Sequence, residues 1–288
     1  MRIGVTLPGY GADHPLTITD AARMAERMGF DSIWNTDHVV MVADAASPYP
    51  FDAQGVMRWD LDHPMFDALI ALAAAASVTT HVEVGTCVLI APMRNPIVLA
   101  KQVSTLDVIS GGRFVLGVGV GWLAEEFAAL DAPFEGRGTR MDDWIDILRD
   151  CWTGTPAARS YEHYEVPEGI LCYPTPLREP PILVGGDSPP ALRRTARRGD
   201  GWLGFSYTDE LDPARIRNHI ETIRTEAAAA GREAPTRLAV QTPGPVAPLA
   251  DHLAELARQG VTEVVTSADW TAPDRVQDGL NLLRRSVS

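Results

Sequence analysis

Cysteine is scarce. Cys87, Cys151 and Cys172 form an odd set without metal-type spacing in 288 residues. A disulfide framework and a zinc site are therefore not expected. Basic residues are also in short supply, with 25 Lys and Arg against 38 Asp and Glu and a net charge of −13. A surface for nucleic acid or anionic lipid needs a basic patch, so neither partner is expected. An anionic cofactor stays open, because backbone amides hold phosphate without net positive charge. No apolar run is long enough to span a bilayer. Met1–Pro8 carries no signal-peptide pattern and reads directly into a strand. A soluble, cytoplasmic protein follows as the expectation. Of the histidines at 14, 38, 63, 81, 163, 219 and 252, His38 is the one that directly follows a strand. A barrel metal centre would want several such ligands, so no metal is expected.

What the chain does have is eight strand-like apolar runs. They are Ile3–Leu7, Ser32–Asn35, Val82–Leu89, Phe114–Val118, Ile182–Val184, Trp202–Phe205, Leu238–Gln241 and Glu263–Thr266. Amphipathic helical segments alternate with them. Ala21, Met24, Ala25 and Met28 lie on one helical face, with Thr17 or Thr19 as N-cap and Gly29 beyond the end. The same spacing recurs at Met141–Trp152, Ile216–Ala227, Leu249–Leu256 and Val276–Leu283. Parallel strands need crossover helices, and eight such units in one domain predict a closed (β/α)8 TIM barrel, an α/β fold, over residues 1–288. Two long irregular stretches interrupt it. Residues 39–65 follow the second strand and are expected to form a lid or substrate wall at the barrel mouth. Residues 153–180 join a helix to a strand and belong nearer the opposite face, unless they fold over the side.

A closed parallel barrel keeps its reactive groups at the C-terminal strand ends. His38 stands at one such end and can exchange a proton near neutral pH, with Asp37 placed to orient it or to start the loop. Cys87 is a candidate redox or nucleophilic thiol, but its apolar neighbours point to a buried, inert one. Gly117, Gly119 and Gly121 alternate after the fourth strand without dinucleotide-binding spacing. They suit close approach by a flat ligand or by neighbouring backbone. Gly185, Gly186, Asp187 and Ser188 open a strand into a helix N-terminus, a setting for a phosphate. Asp187 is an awkward neighbour for an anion, and Asp187 or Ser188 could instead simply cap the helix.

Taken in order, these segments resemble the luciferase-like monooxygenase superfamily, and within it the coenzyme F420-dependent oxidoreductases. The resemblance is carried by Gly29–Trp34 with Asp37 and His38, Gly85-Thr86, Pro92–Pro96, Ala100–Asp107 and Ser110–Arg113. It continues through Leu116–Trp122 with Glu125–Phe127, Arg137–Arg140, Pro180–Gly186 and Ala191–Trp202. It covers residues 1 to about 205; beyond that the likeness is one of element pattern.

The resemblance implies a homodimeric barrel holding F420, or alternatively FMN, at the strand C-termini. His38 would be the proton-transferring or polarising group. Asp37, Thr86, Cys87, Val88, Gly121 and Trp122 would bind the cofactor, with Cys87-Val88 behind the ring at a position that often carries a non-proline cis peptide. Gly185–Ser188 would meet the phosphate. The sugar-phosphate dehydrogenases of the group carry Glu where this chain has Trp122, so Trp122 is expected as an apolar wall. Glu125 or Glu126, on the helix that follows, could supply the missing acid, but on a helix they are expected to face solvent. Hydride transfer to or from a small organic substrate is the implied reaction. The alternatives are an FMN-dependent monooxygenase and a flavin- or F420-binding protein with little catalysis.

Overall fold

The computed structural model describes residues 1–9 and 16–287; His14 lies outside them. Eight parallel barrel positions close on themselves. In chain order the strands are β1 (Arg2–Thr6), β2 (Ser32–Asn35), β3 (Glu83–Thr86), β4 (Leu89–Ile90) and β5 (Phe114–Gly119). A small hairpin, β6 (Arg159–Ser160) and β7 (Glu165–Val166), stands apart. The barrel continues with β8 (Ile182–Gly185), β9 (Gly201–Phe205), β10 (Arg237–Thr242) and β11 (Glu263–Thr266). Neighbouring strands run β3-β2-β1-β11-β10-β9-β8-β5, and pairing of β3 with β5 closes the ring.

The helices are α1 (Ile18–Met28), α2 (Ala68–Ala76), α3 (Pro96–Ser110), α4 (Ala124–Ala129), α5 (Arg137–Trp152), α6 (Pro189–Arg198), α7 (Pro213–Ala229), α8 (Val246–Gln259) and α9 (Pro273–Ser286). In α1, the Thr17 hydroxyl accepts the Asp20 N–H at 3.1 Å, which settles the N-cap. Ala21, Ala22 and Ala25 form its buried face. The helices wrap an outer apolar layer around the strands. A separate cluster of Trp34, Cys87, Val115, Leu183, Leu203, Ala239 and Val265 fills the barrel interior.

One apolar run does not form a single strand. Val82–Leu89 is divided into β3 and β4, with a cis peptide bond between Cys87 and Val88. Both pieces pair with β5. The Thr86 hydroxyl donates to the Gly117 carbonyl at 2.7 Å. A Cβ at Gly117 would overlap the Thr86 carbonyl oxygen, so here the glycine admits neighbouring backbone rather than a ligand. Gly117→Ala is expected to cost about 3 kcal/mol of stability, because the Thr86 backbone cannot yield. The urea midpoint measures this, and an unchanged midpoint would contradict it.

The segment 153–180 lies along the flank. His163 Nδ1 is 2.8 Å from Asp143 of α5, and the Tyr164 hydroxyl accepts from Asn95 at 3.3 Å. Further on, the Leu177 N–H donates to Asp107, and Arg178 reaches Gly112 and Glu83 at the N-terminal end of the barrel. Arg237 bridges Glu83 and Glu263 at that same end, at 2.8 and 3.0 Å. The stretch therefore both folds over the side and ends at the face opposite the mouth.

Candidate functional site at the barrel mouth

His38 stands just past β2, half-buried, with its ring edge-to-face against Trp122 at 6.0 Å between centroids. Its Nδ1 lies 2.8 Å from Oε2 of Glu126. Oε1 of Glu126 accepts the backbone N–H groups of Val39 and Val40 at 2.7 and 3.3 Å. Glu126 is fully buried. The solvent-facing position expected for it is therefore wrong: α4 turns Glu126 inward because three donors wait there. Glu125 also turns to the loop, its Oε1 accepting from Ala46 and Ser47 at 2.8 and 3.2 Å.

Asp37 does not orient His38. Its carboxylate forms a two-pronged pair with Arg94, at 2.7 and 2.8 Å, and accepts the Ile90 N–H at 2.8 Å. Thr86 is fully buried, and its hydroxyl is engaged by Gly117. Cys87 is buried in the barrel interior, and burial pushes its thiol well above the ordinary range, which fits the inert reading. The side chains of these three residues are buried within the wall. They shape the segment from Thr86 to Arg94.

Val88 is the part of that segment that emerges at the mouth. Its side chain sits between Gly119 and Gly185, where a Cβ on either glycine would come within 2.5 and 2.6 Å of Val88 methyl groups. The result is a partly exposed apolar ledge, which fits a flat ring system. Gly121 has φ of 75° and packs against Ile90 and Phe127, turning the chain so that Trp122 faces His38.

The corner from Gly185 to Ser188 is built differently from a simple helix cap. Gly186 has φ of 107°. Ser188 is the N-cap of α6 but makes no side-chain capping bond. Pro189 and Pro190 open the helix, and neither has an N–H, so Ser188 and Ala191 carry the amides of the first turn. The cation beside this corner is Arg215, which donates to the Ser206 hydroxyl at 3.1 Å. Oδ1 of Asp187 is buried without a hydrogen-bond partner among the described residues. Burial raises the Asp187 pKa to about 6, against the pull of Arg215 and the Phe205 N–H. The corner fits a phosphate through its exposed backbone and Arg215, with Asp187 as a neighbour that the anion would keep protonated.

That shift has a sign. A carboxyl whose folded pKa lies above its unfolded value binds more protons when folded, so stability falls as pH rises from about 4 to about 6. Asp187→Asn is expected to flatten this slope and to gain on the order of 1 kcal/mol above pH 7, allowing for partial solvent access. Unfolding curves at pH 4.5 and 7.5 check it; an equal effect at both would contradict the assignment.

Over the mouth lies the loop 39–65. Within it Tyr49 is buried and meets Trp122, Trp59 and Phe51 edge-on at 5.4, 5.0 and 5.5 Å. Phe51 leans on Phe205 at 4.5 Å, and the hydroxyls of Tyr49 and Tyr207 are 3.3 Å apart. Arg58 fastens the loop to the far side through Asp209, Glu210 and the face of Tyr207. The loop thus builds an aromatic cluster against Trp122, the ring that meets His38. A separate cavity of about 290 Å³ lies between α8, α9 and the ends of β10 and β11, lined by Gly244, Ser267 and Arg275 but not by His38. It is distinct from this chemistry.

Sequence reasoning missed Arg94, Arg58, Tyr207 and Arg215, and misplaced Glu126. Arg94 and Glu126 lay within the resemblance, but their partners are 57 and 88 residues away.

A barrel with this mouth defines the class, and comparison with known proteins agrees. The family model for luciferase-like monooxygenases matches residues 1–280. The chain belongs to that family and is an oxidoreductase. An uncharacterised protein of Mycobacterium tuberculosis is 33% identical over 245 residues, 85% of this chain and 82% of the relative. An F420-dependent glucose-6-phosphate dehydrogenase of Amycolatopsis mediterranei is 30% identical over 210 residues, 69% of this chain and 58% of the relative. Among solved structures, an F420-dependent secondary alcohol dehydrogenase in complex with an F420-acetone adduct superposes with a TM-score of 0.76. It is 16% identical, over 98% of this chain and 99% of the other. A type II Baeyer–Villiger monooxygenase from Pseudomonas putida in complex with FMN gives 0.74 at 15% identity, over 100% and 97%. At those identities the likeness is one of fold.

Proposed function

We propose that this protein is a coenzyme F420-dependent oxidoreductase that moves a hydride between the deazaflavin and a small organic substrate. The observation that carries the reading is a convergence at one barrel mouth. The Val88 ledge suits a flat ring, the Gly186–Ser188 corner with Arg215 suits a phosphate, and His38 stands within the same rim. The F420-linked relative supports the cofactor. When bound, the deazaflavin would supply or take the hydride, while the protein orients and protonates. His38 handles the proton at the substrate oxygen. Trp122, Tyr49 and Phe51 exclude water. With Trp122 in place of a carboxylate, the substrate is an apolar carbonyl compound, an activated alkene or an alcohol rather than a sugar phosphate.

An FMN-dependent monooxygenase is the second reading. The same ledge and corner would take FMN, and a structural neighbour is FMN-bound. Turnover separates the two: loss of oxidised F420 with alcohols under anaerobic conditions supports the first. Oxygen uptake with reduced FMN, and no F420 turnover, supports the second.

We further propose a homodimer working in the cytoplasm. The helices α2 and α3 pack side by side and leave Ile70, Val98, Val108 and Ile109 exposed at 73, 55, 39 and 46%. Exposed apolar side chains on two adjacent helices suit a partner surface. Light scattering at the dimer mass supports this, and a monomer contradicts it.

A further inference from the structure

We propose that Glu126 is a positioning residue that fixes which nitrogen of His38 faces the substrate. This rests on the reading of His38 as the proton-transfer group. The backbone amides of Val39 and Val40 can only donate, so they hold Oε1 of Glu126 as an acceptor. In this proposal Glu126 acts as the carboxylate, whose oxygens only accept. Nδ1 of His38, 2.8 Å from Oε2, must therefore carry the hydrogen and donate it. That leaves the lone pair on Nε2, at the other side of the ring. Trp122 meets the ring edge-on and restricts its rotation. The other ionisable groups nearby are turned away: Asp37 to Arg94, Glu125 to Ala46 and Ser47, and Tyr49 to Tyr207.

The resting imidazole is thus a proton acceptor aimed outward from the dyad. In alcohol oxidation, Nε2 would take the hydroxyl proton, and bound oxidised F420 would supply the acceptor for the carbinol hydrogen and its electron pair. The C–O bond becomes a carbonyl. The balance would be one hydride to the cofactor and one proton to His38, from which solvent would remove it. The reverse reaction returns that proton from the imidazolium to the carbonyl oxygen. A carboxylate behind the imidazole also stabilises the imidazolium as it forms, the logic of the acid in a Ser-His-Asp triad.

Glu126→Gln is the informative variant. Its carbonyl oxygen must still serve Val39 and Val40, so its NH2 group faces Nδ1. Nδ1 then has to accept, and the hydrogen moves to Nε2. Nitrogen-15 NMR of histidine-labelled protein reads this directly, with the His38 signals assigned by their loss in His38→Ala. Wild-type neutral His38 should be protonated at Nδ1, and the Gln variant at Nε2. With F420 and 2-propanol or cyclohexanol, the variant should lose about a hundredfold in kcat with KM within a few-fold. Its rise in kcat with pH across the imidazole titration should also disappear. Glu126→Asp, which keeps an acceptor, should recover part of the rate. Wild-type protein protonated at Nε2, or a Gln variant with unchanged tautomer and pH profile, would overturn the proposal. Absence of any F420 turnover in the wild type would count against the functional reading, while the NMR result would still decide the tautomer.

Discussion

Replacing His38 by alanine is expected to lower turnover about a hundredfold, the usual contribution of a placed acid–base group. Cofactor affinity should stay within a few-fold. The expectation follows from the separation of tasks at the mouth. The ring surface comes from Val88 and the phosphate corner from Gly186 to Ser188, neither of which His38 supports. His38 makes its polar contact with Glu126 and its ring contact with Trp122. Its loss removes the proton path and leaves both binding surfaces. Steady-state kinetics and fluorescence titration of the same variant check the two halves. Unchanged turnover would remove His38 from the chemistry, and lost affinity would make it a binding residue.

The second large effect is on stability. Asp37→Ala should cost about 3 kcal/mol, the lower end for breaking a buried ion pair, since Arg94 keeps some contact with water. Three donors lose their acceptor: two from Arg94 and the Ile90 N–H. Arg94 is tied in turn to α5, where the Trp144 indole donates to its carbonyl at 2.7 Å. The damage therefore spreads from the mouth into the helical layer. Asp37→Asn keeps one acceptor oxygen and should lose less. Urea unfolding measures both. If Asp37 instead touched the cofactor, Asp37→Ala would keep its unfolding midpoint and lose binding.

The barrel was legible because its strands are buried on both faces. Such strands read as apolar runs, and Ser32–Asn35 and Glu263–Thr266 form with the bounds those runs predict. The helical periodicity of α1, α5, α7, α8 and α9 was legible for the matching reason, one apolar face packed on the sheet. The hairpin β6–β7 was not, since two-residue strands leave no pattern. Val82–Leu89 reads as one strand because the division after Thr86 lies in the backbone, while the side chains stay apolar throughout.

The site was legible where one segment supplies a whole feature, as with His38 after β2 or the glycines after β8. It was opaque where the feature is a pairing. Asp37 looks like a ligand-facing carboxylate until Arg94 is placed against it. Glu126 looks like half of an exposed acidic pair until the backbone of Val39 and Val40 arrives from 87 and 86 residues away. Tyr49 and Tyr207 meet across 158 residues. Helix periodicity records which face is buried only over long segments, and α4 has six residues.

The central claim is that this mouth takes a deazaflavin. Titration of the purified protein with F420 and, separately, with FMN tests it most directly, read by quenching of intrinsic tryptophan fluorescence, with Trp122 and Trp59 at the mouth as reporters. The account predicts saturable quenching by F420 at micromolar concentrations and much weaker quenching by FMN. Tight FMN binding with little response to F420 would contradict it.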